Sequence, residues 1–526
     1  MDTFCLLWRA PHVNPITQKA RSIPFLNPVS TTYGRTFFFS WFGFMIAFWS
    51  WYAFPPLLAD VIAADIHMTH NQVANSNIIA LTATLLVRLI AGPSCDRFGP
   101  RLTFAGCLLA GAVPTFLAGT VQNASGLYAL RFFIGVLGGS FVPCQVWTTG
   151  FFDTNVVGLA NALAGGLGNL GGGITYFVMP AVYKALVDDG LPGHKAWRVA
   201  FVVPGVLIVF VAACLLVLCE DTPTGAWAKR HAAAEESLRR HDVVPGVKTG
   251  TREGDVVDIR GELQDVPKPS PMSSRLGSTA DIEKSSAAGP AGDEKKHGWK
   301  DNEAQQTDAQ MYTTASTEII QKPSLTSVLR IMFSLQTLVP AACYFCTFGA
   351  ELSINSVLGN YYLHAFPSMT LQASGNWAAM FGLLNGVARP LGGYISDLAY
   401  RRTHSVWAKK AVLHTYGVLT GAFLIVIGAL DPRDVSTMMG LVGALAVVLE
   451  GGNGADFGLV PHVHPHANGV VSGFTGAMGN LGGIVFAIIF RYNGKDYGRV
   501  FWIIGVVVVA VNLAVSWIRP VAKKAA

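Results

Sequence analysis

About twelve apolar runs, each near the twenty residues that a helix needs to cross a bilayer, dominate this chain of 526 residues. They centre near residues 48, 84, 111, 138, 170 and 208, and again near 342, 384, 420, 446, 478 and 509. Lipid admits only helices and closed barrels, because every backbone polar group must be satisfied internally. Runs this long predict helices. Charge agrees with them. Asp, Glu, Lys and Arg make up 13% of the chain, about half the usual share in soluble domains. Residues 220–325 hold 32 of the 70 charged side chains, so the apolar runs are poorer still. An ordinary soluble enzyme is excluded. A nucleic-acid partner is excluded too, since the +6 balance comes with no basic stripe.

The expected fold is therefore an all-α membrane protein of twelve transmembrane helices in two six-helix bundles. The expected division is an N-terminal tail (1–35), a first bundle (36–219), a polar loop (220–325), a second bundle (326–519) and a C-terminal tail (520–526). The polar loop is too rich in Ser, Pro, Gly and charge to bury a core, so it reads as mostly disordered. Its Ser273, Ser274, Ser285 and Ser286 are candidate targets of kinases. With both termini inside, the short segments carry 13 Lys/Arg inside and 7 outside. That bias puts the termini and the loop in the cytoplasm.

No cofactor, metal site or catalytic constellation is expected. Cys343 and Cys346 form a C-x-x-C inside an apolar run, with no second pair to complete a metal set. His462, His464 and His466 alternate in what reads as a Pro-broken cytoplasmic loop, where a short structured turn accounts for them better than a metal.

The two halves repeat. Arg88-Leu-Ile-Ala-Gly92-Pro-Ser-Cys-Asp96 in the first half matches Arg389-Pro-Leu-Gly392-Gly393-Tyr-Ile-Ser-Asp397 in the second. Gly165-Gly-Leu-Gly168-Asn169-Leu-Gly171-Gly172 matches Gly476-Ala-Met-Gly479-Asn480-Leu-Gly482-Gly483. Parallel repeats of this kind place a substrate site near the bilayer midplane, between the halves, about a pseudo-twofold axis.

Arg88 and Arg389 lie eight residues, about 12 Å of helix, from the charged end of their runs. An arginine at such depth costs at least about 2.5 kcal/mol. Two at equivalent places would repel unless an anion lies between them. The alternative is a structural pairing of each with carbonyls or carboxylates. Guanidinium offers paired, planar donors, which suit a small, flat, monovalent oxyanion. Gly165, Gly168 and Gly172 share one helix face, as do Gly476, Gly479 and Gly483; close helix packing explains the glycines. Asn169 and Asn480 add an amide in each half, aimed at a shared cavity. Asp96, Arg97 and Arg101, with Asp397 in the second half, read as a conformational latch at the helix ends.

Twelve helices, the repeat, Gly92-Pro-Ser-Cys-Asp96-Arg97-Phe-Gly99 and Arg131-Phe-Phe-Ile-Gly135 resemble the major facilitator superfamily. The paired G-N-L-G-G segments and Glu220-Asp-Thr-Pro-Thr-Gly225-Ala-Trp227 narrow the resemblance to its nitrate/nitrite porters. The long central loop and the tract from Gly452 to Asn468 are similar to the fungal high-affinity branch, where that tract connects the tenth and eleventh helices. The resemblance implies import of nitrate, and of nitrite, with protons across the plasma membrane. It implies Arg88 and Arg389 as the substrate-binding arginines, Asn169 and Asn480 as signature asparagines, Tyr344 as a substrate contact, and Phe141 and Phe457 as rings that sandwich the anion. Phe141 is equally well explained as core. Glu351, Glu450 and Asp456 are the acids available to carry a proton. Glu351 is the first choice, with structural pairing as its alternative.

Overall fold

The computed structural model describes residues 8–14, 17–154, 156–230, 232–233, 236, 324–493 and 496–521. Most of the central loop, with its serines, and residues 522–526 of the C-terminal tail lie outside the described residues. The helices that matter are α1 (Thr32–Trp51), α2 (His70–Phe98), α3 (Pro100–Phe116), α4 (Ala124–Ile134), α5 (Phe141–Phe151), α6 (Val157–Asp188) and α7 (Val202–Leu218). After the loop come α8 (Leu335–Ala365), α9 (Leu371–Leu383), α10 (Asn385–Thr403), α11 (Val406–Leu430), α12 (Val435–Val463), α13 (Asn468–Asn493) and α14 (Tyr497–Val515). No β-strand occurs among the described residues, only isolated bridges.

Among the described residues, eleven spans are long and apolar enough to cross a membrane on length and composition alone. The twelfth, expected near residue 384, is the pair α9 and α10. Leu384 joins them with helical dihedrals (φ −62°, ψ −19°). Asn385, Arg389 and Asp397 lower the apolar content of this span, and all three are buried. Helix starts are set by short polar side chains that accept the first free N–H groups. Thr31 caps α1, Thr69 and Gln72 form a capping box on α2, and Ser334 caps α8.

Two faces of each arginine-bearing helix explain how it tolerates charge. Arg88 is 1% exposed, while Ile90, two residues on, is 67% exposed. Arg389 is 0% exposed, while Val387, two residues before it, is 71% exposed. The apolar side chains face outward, as lipid requires, and the guanidiniums turn into the bundle. In the first half α1 packs on α6. In the second, α8 packs on α13. Between the halves, α2 runs against α13 and α6 against α10.

Cys343 and Cys346 are buried thiols among packed helices, with Cys343 Sγ 3.5 Å from Asn512 Oδ1. The tract from Gly452 to Val463, expected in a connection between helices, is helical instead. It forms the last turns of α12, so Phe457 and His462 sit on a buried helix. The small residues of this tract let α12 press against α10, and that packing outweighs their poor helix propensity. His464 sits just beyond, its Nε2 3.0 Å from Ser334 Oγ.

Candidate functional site

Two carbonyls hold Arg88. Its Nε donates to Gly138 O (2.9 Å) and its Nη1 to Gly476 O (2.9 Å). The first lies in its own half and the second in the other. Arg389 is held less completely. Its Nη2 donates to Tyr344 Oη (3.0 Å), but Nε and Nη1 are buried with no partner among the described residues. Buried polar groups are paired in the great majority of cases, so two unused guanidinium donors mark a place built for an acceptor.

Both cations face one ring. The guanidinium carbon of Arg88 lies 4.8 Å from the centroid of Phe141, and that of Arg389 lies 5.5 Å from it. Their separation cannot exceed the sum of those distances. Around Phe141 stand three further rings. Tyr344 is parallel to it at 6.1 Å, Phe348 is parallel at 6.4 Å, and Phe457 is edge-on at 4.8 Å. The negative faces of the rings offset part of the cation repulsion. The structure therefore brings together Arg88, Arg389, Phe141, Tyr344 and Phe457. Phe348, which sequence reasoning passed over, belongs with them and lies 5.3 Å from the Arg88 guanidinium carbon. The signal was present: Phe348 is four residues after Tyr344, on the same face of α8.

The signature glycines are crossed between the halves. A β-carbon on Gly165 would stand 3.0 Å from Arg389 Nε, and one on Gly476 would stand 3.2 Å from Arg88 Cδ. Gly168 and Gly172 face Phe44 and Phe48 of α1. Gly479 and Gly483 face Tyr344 and Leu352 of α8. Asn480 Nδ2 donates to Gly476 O (3.0 Å), the same carbonyl that receives Arg88. Asn169 turns elsewhere. Its Nδ2 donates to Asn385 Oδ1 (3.3 Å), and its Oδ1 is buried without a donor.

Through Asn385 the site meets the buried acids. Asn385 Nδ2 donates to Glu351 Oε1 (2.8 Å). Asn453 Nδ2 donates to Glu351 Oε2 (2.7 Å) and to Glu450 Oε2 (3.3 Å). Glu351 and Glu450 are thus partners. Asp456 stands apart, fully buried, with neither oxygen receiving a donor among the described residues. Asn385 and Asn453 were not foreseen, though each is one helical turn from a residue that was.

At the end of the bundle that carries the termini, Asp96 accepts from the backbone N–H of Gly469 (2.9 Å) and Val470 (3.1 Å) at the start of α13. Asp397 accepts from Leu159 N (2.7 Å) at the start of α6 and from Lys409 Nζ (2.6 Å). Each acid thus caps a helix of the opposite half, where the helix dipole favours negative charge. Arg97 points to the surface against Phe98. Arg101 works within its own half, through Asp221 Oδ1 (2.6 Å) and Cys219 O (2.6 Å). Lys409 and Lys410, two of the thirteen Lys/Arg counted inside, are both buried.

Comparisons with known proteins agree with this architecture. Residues 40–487 match the Major Facilitator Superfamily. The chain is 41% identical to Elsinochrome transporter 1 of Elsinoe fawcettii over 98% of both chains. It is 30% identical to High affinity nitrate transporter 2.5 of Arabidopsis thaliana, over 96% of this chain and 83% of that one. Among solved structures it resembles the proton:xylose symporter XylE bound to 6-bromo-6-deoxy-D-glucose (TM-score 0.58, 12% identity, 91% of this chain and 94% of that one). The chain is a multi-pass membrane transporter rather than an enzyme, and it belongs to the major facilitator superfamily, in the family that holds the nitrate and nitrite transporters.

Proposed function

We propose that this protein imports nitrate, and nitrite, together with protons by alternating access, with the anion held between Arg88 and Arg389. The observation that carries the reading is the pair of unused donors on Arg389, buried beside a ring that also faces Arg88. Two fixed cations and flat aromatic faces favour a small planar anion over a tetrahedral one. Tyr344, Phe141 and Phe457 frame it, while Asn169 and Asn480 fix the groups behind it. The latch at Asp96 and Asp397 holds the halves shut on the side that carries the termini. By the Lys/Arg bias that side is the cytoplasm, and the membrane is the plasma membrane.

Energetics favour proton coupling. Each 100 mV of inside-negative potential costs an entering monovalent anion about 2.3 kcal/mol. Two protons per anion make the cycle electrogenic and downhill. Glu351, Glu450 and Asp456 are the buried acids that can carry them. Ser273, Ser274, Ser285 and Ser286 of the long loop are the candidate targets of kinases.

Two transport readings compete. A nitrate/nitrite exchanger would use the same arginines without a proton. Transport of elsinochrome is favoured by the 41% identity to a relative of that name. A nitrate sensor signalling through the central loop would bind without flux. Purified full-length protein in liposomes separates all four. Symport is expected to give nitrate uptake driven by an imposed pH gradient. Uptake that needs internal nitrite means exchange, uptake of elsinochrome in place of nitrate means the second reading, and binding without uptake means a sensor. Arg88→Lys is expected to lose nitrate affinity, because one ammonium cannot reach Gly138 O and Gly476 O and still present a flat donor edge. Wild-type affinity in that variant would overturn the two-arginine site.

A further inference from the structure

Asn453 Nδ2 bridges the two acids, 2.7 Å from Glu351 Oε2 and 3.3 Å from Glu450 Oε2, so these two buried carboxyl oxygens can be no further apart than the sum of those distances. Two buried carboxylates this close repel, so one of the pair holds a proton more readily than a lone acid would. Asn453 spends its amide nitrogen on both acids, and its Oδ1 is left buried with no donor. Glu450 Oε1 receives no amide or hydroxyl either. Asn453 and Glu450 are both fully buried. The pair is therefore clamped by one amide, with two acceptor atoms, Asn453 Oδ1 and Glu450 Oε1, left without a donor among the described residues.

We propose that Glu351 and Glu450 form a single proton site, with one proton shared between two carboxyl groups, and that this proton decides whether Arg389 is free to hold the anion. The proposal rests on the proton-coupled reading above and deepens it. Arg389 feels both acids electrostatically, yet among the described residues it donates to neither and bonds only to Tyr344. With the proton present, the pair carries one negative charge and Arg389 keeps two donors for nitrate. When the proton leaves to water, two carboxylates face each other next to a cation with unused N–H groups. They then compete with the anion for Arg389, and nitrate is released. Tyr52 at the end of α1, Arg88 of α2 and Tyr344 of α8 lie within electrostatic reach of Glu351, and Asn385 of α10 donates to it. Asn385 in turn holds Asn169 of α6. The polar run therefore crosses from one half to the other at the Asn169–Asn385 bond, and opening the halves there would unclamp Glu351.

The test is nitrate binding to full-length protein as a function of pH. Wild type is expected to lose about tenfold in affinity, about 1.4 kcal/mol, as rising pH removes the shared proton. Glu450→Gln and Glu351→Gln each leave a single carboxyl with no second acid to repel it, so both are expected to keep one negative charge across the range in which wild type gives up its shared proton, and to bind nitrate without pH dependence there. Persistence of the wild-type pH dependence in Glu450→Gln would overturn the shared site, while pH-driven uptake by wild type would still stand for symport. Failure of a pH gradient to drive wild-type uptake would remove symport itself. Replacement of the pH dependence by a sodium dependence would also overturn the proposal. Should the glutamine variants not fold, infrared difference spectra of wild type keep it testable. A carboxylic-acid band that moves with glutamate isotope label and vanishes as pH rises is expected, and its absence overturns the shared proton.

Discussion

Gly165 of the first half lies directly against Arg389 of the second: a β-carbon there would stand 3.0 Å from Nε and 3.1 Å from Gln145 Nε2. Nε is one of the two donors that Arg389 leaves unused. A methyl group at Gly165 would therefore cover the donor as well as crowd the helix. Gly165→Ala is expected to weaken nitrate binding by tenfold or more. Gly476→Ala should be milder, because its β-carbon would meet Arg88 at 3.2 Å through Cδ, on the side chain's stem rather than at a donor left for the anion. Equilibrium binding of nitrate to the two purified variants checks the order. Equal losses would mean that the glycines act through helix packing alone.

The crossed latch predicts a second inequality. Asp96 accepts two backbone N–H groups, whereas Asp397 also neutralises Lys409, whose side chain is fully buried. Removing one member of a buried pair leaves an uncompensated charge and costs about 3–5 kcal/mol. Asp397→Asn is expected to lower the melting temperature more than Asp96→Asn does. Both should loosen the end of the bundle that carries the termini. Cys95, buried beside Asp96, then becomes a native reporter. Its alkylation rate, read by mass spectrometry, is expected to rise in Asp96→Asn.

The start of the polar loop is tied to the same latch. Gly99 has φ +94°, a region that suits glycine, and a β-carbon there would lie 3.0 Å from the Trp227 ring. Asp221 accepts from Trp227 N (3.1 Å) and from Arg101. Gly99→Ala strains the backbone and displaces Trp227 together. It is expected to reduce transport more than Trp227→Phe, which keeps a ring over the turn. Uptake rates normalised to protein in the membrane check this.

Why was so much of the fold legible? Spanning runs and the repeated Arg-to-Asp spacing are properties of single helices, and lipid punishes any other reading of them. Arg88 and Arg389 declared themselves because charge at that depth needs a reason. What the sequence did not disclose depends on contacts between helices distant in the chain. Asn385 and Asn453 look like ordinary polar residues until α8, α10 and α12 converge on Glu351. Lys409 reads as a loop charge until Asp397 and Gly458 O are seen at its ammonium. The helical tract around Phe457 was misplaced for a related reason. Its glycines and prolines suggest a connection, and only packing against α10 makes them a helix.

A last prediction concerns pH at the opposite end of the bundle. Asp434 caps α12, and its Oδ2 accepts from Ser436 Oγ (2.7 Å), Thr437 N (2.8 Å) and Thr437 Oγ1 (2.8 Å). The Ser436 hydroxyl, then the Thr437 donors, favour the ionised form and hold the carboxyl down at about 2. A group whose acidity is strengthened on folding adds stability above its unfolded value, near 3.8, and loses that contribution as pH falls through the folded value. The cap is therefore fully effective at neutral pH and fades only in strong acid. Asp434→Asn keeps an oxygen for the cap but removes the charge. The melting temperature of wild type minus that of Asp434→Asn is expected to be positive at neutral pH and to shrink as pH falls from about 4 towards about 2. A difference that stays constant over that window would show that the carboxylate charge does not contribute to the cap.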